Sequence, residues 1–160
     1  MNYNIENRFK EKLYECNKHV ERILISKKHL TNLMPLDTKK YLDMDDIQTS
    51  FVDQLVYRFS KLQDTMGEKI FPSILLLSKE NVKNKTFIDI LNRLEELEIL
   101  DKNRWLKLRE VRNEIAHEYS FNTDEVIESI ESIFYQSDEL IEVYSDVLSF
   151  CKSKFDFLDR

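Results

Sequence analysis

The chain has 160 residues, a formal charge of -6 and a single glycine against two prolines. That length suits one domain, spanning 1–160, with one core. The charge argues against nucleic-acid binding through overall electrostatics, and the shortage of Gly and Pro against hairpins or a Gly-rich phosphate loop, so the composition favours an all-α chain.

The N-terminal stretch, "MNYNIENRFKEKLYEC", mixes acids with bases and lacks the apolar run of a secretory signal. Ile5, Phe9, Leu13, Cys16, Val20, Ile23 and Leu24 then recur in steps of three and four, one face of a helix that should run to about Leu33 and stop before Pro35. His19 and His29 on this helix have no ligand-spaced partners and read as surface residues. "MPLDTKKYLDMD" is a connection, with Asp45 or Asp46 placed to cap the next helix. That second helix should bury Phe51, Leu55, Phe59, Leu62, Met66 and Ile70, with Gly67 and Pro72 kinking or ending it.

The most apolar run, "IFPSILLL" at 70–77, is far short of the ~20 residues that span a bilayer. After the polar break "LSKENVKNK", Thr86 should cap a shorter helix, "TFIDILNRLEELEIL". Asp101 should cap the fourth, with Trp105, Leu108, Val111 and Ile115 inward. "YSFNTDE" resets the chain, with Asn122 or Thr123 as cap and acids in the first turn. The last helix uses Val126, Ile127, Ile130, Ile133, Phe134, Leu140, Ile141, Val147 and Leu148. The expected fold is therefore an antiparallel helical bundle of about five helices.

From Asp124 through Asp146 eight acids occur without a Lys or Arg, either a solvated outer face or a docking face for a basic partner. Cys16 and Cys151 lie near opposite ends of the chain and read as free thiols of a reducing, cytoplasmic compartment. No membrane segment, cofactor or metal is expected.

Chemistry concentrates in "EVRNEIAHEYSF", residues 110–121. On a continuous helix Arg112 and His117 are about 140° apart, whereas Arg112 and Tyr119 return to within about 20°. Asn113 and His117 are four apart, so the amide can fix the imidazole tautomer. A long guanidinium can bend toward the histidine and hold a phosphate between them, and a twofold mate would add a second such pair on the axis. Histidine exchanges protons near neutral pH, and arginine stabilises charge developing on phosphorus. With the 2′-hydroxyl of RNA as nucleophile, these groups suffice for metal-free RNA cleavage.

"RNEIAHEY", Arg112 to Tyr119, resembles the signature of the HEPN superfamily, in the RX4HXY form typical of HEPN toxins paired with minimal nucleotidyltransferase antitoxins. "LVYRFSKLQD", 55–64, is similar to the second-helix stretch of such proteins. The resemblance implies a HEPN-like bundle in a symmetric homodimer. It also implies a toxin of a type II, or nucleotidyltransferase-neutralised, toxin-antitoxin system, acting as a metal-independent endoribonuclease at the dimer cleft. Arg112 and His117 would be the catalytic pair, Asn113 the orienting residue, and Tyr119 the position a cognate nucleotidyltransferase antitoxin modifies with AMP. The alternative is a non-catalytic HEPN partner that binds a nucleotide or substrate for a nucleotidyltransferase.

Overall fold

The computed structural model describes residues 2–114 and 121–159, so Ile115, His117 and Tyr119 lie outside the described residues. Among the described residues the chain is helical throughout, with no strand. The helices are α1 (Asn2–Leu30), α2 (Thr38–Leu42), α3 (Asp46–Thr65), α4 (Phe71–Leu77), α5 (Phe87–Glu96), α6 (Lys102–Glu114) and α7 (Thr123–Lys154). The five long segments expected from periodicity are α1, the α3–α4 rod, α5, α6 and α7.

Capping residues start these helices as their chemistry predicts. Asp45 accepts from Gln48 N at 2.7 Å while the Gln48 side chain accepts from Asp45 N at 3.0 Å, a reciprocal box that opens α3. Thr86 and Asp89 do the same for α5. Asp101 accepts from Arg104 N at 3.1 Å, and Asn122 accepts from Asp124 N at 3.1 Å.

Pairwise contacts fix the directions. His19 meets Arg58, Ser26 meets Gln54 and His29 stacks on Phe51, so α1 and α3 run antiparallel. Tyr144 bonds Asn17 at 2.7 Å and Lys27 bonds Asp138 at 2.8 Å, so α7 also runs against α1. Phe9, Leu13, Cys16, Ile23, Leu55, Phe59, Leu62, Leu140, Val143 and Val147 fill the space between the three. Burial pushes both thiols, Cys16 and Cys151, up to about 12, which leaves them protonated and unreactive.

Several expectations are corrected. α1 stops at Leu30 and tightens into a 3-10 turn over Thr31–Leu33. The connection that follows contains the short helix α2, opened by an Asp37 cap. Leu24 is 51% exposed and Ile5 38% exposed, because the stripe on α1 that meets α3 and α7 is narrower than the run of apolar residues. His29 is exposed, as expected, but His19 is half-buried against Arg58.

Around Gly67 and Pro72 the rod neither ends nor simply kinks. It opens into a π turn over Met66–Ile70, with Phe71 N–H donating to Met66 O, and continues as α4. Pro72 has no N–H to donate and its ring crowds the carbonyl four residues back, so widening the turn before it relieves the clash.

Candidate functional site

The π turn faces the side of α6 that carries the motif's first residues. Packing there is set by Trp105, 1% exposed, which meets Phe71 edge-on at 4.7 Å between ring centroids. Buried Gln63 on α3 donates to the carbonyl of Leu108 at 2.9 Å, locking the register of α6 against α3. Arg112, one turn after Leu108, is thereby turned toward the end of α3.

There it meets Asp64. Arg112 Nε donates to Asp64 Oδ1 and Nη2 to Oδ2, each at 3.4 Å, with both side chains about one-third exposed. This is a side-on pair with long hydrogen bonds. It occupies the Nε edge of the guanidinium and, among the described residues, leaves the Nη1 edge for another acceptor.

Beside the pair is a cavity of about 360 Å³, lined by Gln63, Asp64, Gly67, Phe87, Trp105 and Asn113 among others. Its apolar wall depends on Gly67. A Cβ there would lie 3.4 Å from both Phe87 Cε2 and Trp105 Cζ2, so any side chain beyond a methyl would intrude on the two rings. Trp105 Nε1 is buried in this wall with no hydrogen-bond partner among the described residues. Arg109 lies over the Phe87 ring, 4.5 Å from its centroid, and with Glu68 also lines the cavity. Asn113 is exposed at the rim.

Two of the four residues singled out in the motif, Arg112 and Asn113, are thus brought to one cavity, while His117 and Tyr119 lie outside the described residues. Asp64, Phe87, Gly67 and Arg109 complete the site and were not foreseen in it. The sequence signal for Asp64 was its place at the end of "LVYRFSKLQD"; its pairing with a residue 48 positions away has no local signature.

The acids of α7 serve other ends. Arg104 of α6 reaches Glu139, Glu142 at 3.3 Å and Asp146 at 3.7 Å, and the bond it donates to Glu139 holds its guanidinium above the ordinary arginine range. Asp138 accepts from Lys27, and Glu131 accepts from Leu36 N at 2.6 Å. Much of the acidic run therefore fastens α7 to α6, to α1 and to the loop before α2.

No family model, curated protein or solved structure matches the chain. Among the described residues, no helix is long and apolar enough to cross a membrane.

Proposed function

We propose that the chain is a HEPN-type, metal-independent endoribonuclease, the toxin of a nucleotidyltransferase-neutralised toxin-antitoxin pair, working as a symmetric homodimer. The observation that carries this reading is Arg112, the first residue of an intact RX4HXY motif, held by Asp64 at the mouth of a cavity with one guanidinium edge uncommitted among the described residues.

In this reading a phosphate of RNA takes the free edge of Arg112, which then stabilises the charge that builds on the pentacoordinate phosphorus. The 2′-oxygen attacks the adjacent phosphorus and the bond to the 5′-oxygen breaks. Histidine takes the 2′-hydroxyl proton, and a proton returns to the departing 5′-oxygen from the second copy of the pair, leaving a cyclic phosphate. Asn113, four residues earlier in the sequence, is the residue that orients His117. AMP placed on Tyr119 brings an anionic phosphate that competes for Arg112 and blocks the substrate phosphate.

A second reading, nucleotide binding without cleavage, draws on the ring-walled cavity beside Arg112, whose size and Phe87–Trp105 lining suit a base. Growth and RNA integrity separate the two. Cells expressing the wild-type chain should arrest, and the purified protein should cut RNA in EDTA to fragments ending in cyclic phosphate, whereas folded His117→Ala should do neither. Toxicity retained in both His117→Ala and Arg112→Ala contradicts the nuclease. Saturable nucleotide binding by unmodified wild type without any cleavage favours the second reading.

A further inference from the structure

A second polar surface lies outside the cavity, where α1 and α3 pack side by side. It presents two exposed tyrosines, Tyr14 at 63% and Tyr57 at 53% exposure. Each is flanked by cations: Lys18 Nζ is 5.6 Å from the Tyr14 ring centroid, and Arg58 and Lys61 are 5.5 and 5.7 Å from that of Tyr57. Lys18 shares its charge with Glu21 at 3.4 Å, but neither Arg58 nor Lys61 forms an ion pair among the described residues. Arg58 instead lies 3.1 Å from His19 Nδ1. His19 is kept below its usual pKa first by burial and then by Arg58, so its neutral ring accepts from the guanidinium and steadies it.

The patch is aligned with the site. Tyr57, Lys61 and Asp64 follow one stripe of α3, and a separation of seven residues returns to within about 20° after about 10 Å of helix. The stripe ends at Asp64, and so at Arg112. In a chain of net charge -6, cations such as Arg58 and Lys61, without an ion pair among the described residues and set beside an exposed ring, have a specific use. Bases stack on the rings while the cations follow the backbone, which suits a single strand with splayed bases better than a duplex.

We propose that Tyr57, Arg58 and Lys61, continued by Tyr14 and Lys18, form a track that binds single-stranded RNA and leads it to Arg112. The direction of the track rests on the nuclease reading; its binding of RNA does not.

The test uses the full chain carrying His117→Ala, in EDTA, with a fluorescein-labelled single-stranded RNA of about 15 nucleotides followed by anisotropy over a salt series. Lys61→Glu should weaken binding about 10-fold and flatten the salt dependence, since each phosphate contact adds about 0.7 to the logarithmic slope. Tyr57→Ala should weaken it about 5- to 10-fold at unchanged slope, because stacking is not ionic. Lys39→Glu, on exposed α2, should bind like the parent. Both key substitutions are at exposed positions, and thermal melts establish that the variants are folded.

A parent that does not bind RNA, or two variants that bind as the parent does, overturns the track. So does a parent that binds a poly-glutamate peptide as tightly as RNA, which would make the patch a dock for an acidic protein. Binding lost in Lys61→Glu while the chain with His117 intact cuts nothing supports the track and removes the nuclease. Cleavage of the same RNA with kcat/KM unchanged in Lys61→Glu and Tyr57→Ala removes the track and leaves the nuclease.

Discussion

Arg104 and Arg112 lie eight residues apart on one helix and are used in opposite ways. Arg104 is enclosed by three carboxylates of α7 and has its tightest bond to Glu139. Arg112 has, among the described residues, one carboxylate, Asp64, at 3.4 Å, and opens onto a cavity. A guanidinium has five N–H donors in a fixed fork, so the number of acceptors around it decides whether it can still take a ligand. Arg104 is spent on joining α6 to α7. Arg112 is oriented by Asp64 and is not saturated by the described residues.

The largest effect that sharpens this contrast is Arg112→Ala. Losing the group that stabilises charge on phosphorus should cut RNA cleavage about 10²- to 10³-fold while shifting the melting temperature by no more than about 1 °C, since a long, partly exposed pair contributes little. Next is Asp64→Asn, which keeps the shape but weakens the side-on pair. As a positioning residue, Asp64 should move kcat down about 10-fold with KM little changed; an equal rise in KM alone would make it a substrate contact instead.

Arg104→Ala should show the reverse pattern. Three acids are left facing one another on a half-exposed surface, a loss of about 1 kcal/mol or roughly 3 °C in a chain of this size, with kcat/KM within about twofold. Gly67→Ala probes the wall of the cavity. Its backbone is helical, and a methyl meets Phe87 and Trp105 at 3.4 Å, ordinary contact distance. The substitution should stabilise the fold by about 0.5 kcal/mol through helix propensity, whereas Gly67→Leu should fill the cavity and lower cleavage.

The smallest effect concerns pH. The folded state holds the pKa of His19 below its ordinary 6.5, so below about pH 6.5 the unfolded chain takes up the proton more readily. Stability from this source is present above that value and falls as pH drops toward the folded pKa. Denaturant titrations at pH 7.5 and 5.5 should therefore differ less for His19→Gln than for wild type.

The bundle was legible in the sequence because its determinants are local. Asp45, Thr86, Asp101 and Asn122 cap the helices they precede, and stripes such as Trp105, Leu108 and Val111 are buried as their spacing predicts. The π turn was not, since Gly67 and Pro72 signal only that something must change, and a kink, a break or a widened turn would each relieve the crowding before Pro72. Nor were the partners of the acids. Glu139, Glu142 and Asp146 read as a solvated or docking face until α6 brings Arg104 among them.

The site was half legible for the same reason. Arg112 and Asn113 could be picked out from chemistry and motif spacing, but Asp64 and Phe87 join them through tertiary contacts. His19, read as an ordinary surface histidine, is the acceptor that steadies Arg58.

The contrast between the two arginines is tested most directly by measuring, side by side and in EDTA, cleavage of one labelled RNA by wild type, Arg112→Ala and Arg104→Ala, with thermal melts of all three. The expected result is that Arg112→Ala melts like wild type and cuts at least about 100-fold more slowly, while Arg104→Ala melts lower and cuts normally. Full cleavage by a folded Arg112→Ala would contradict the account, because the open edge of that guanidinium would then have no part in the chemistry.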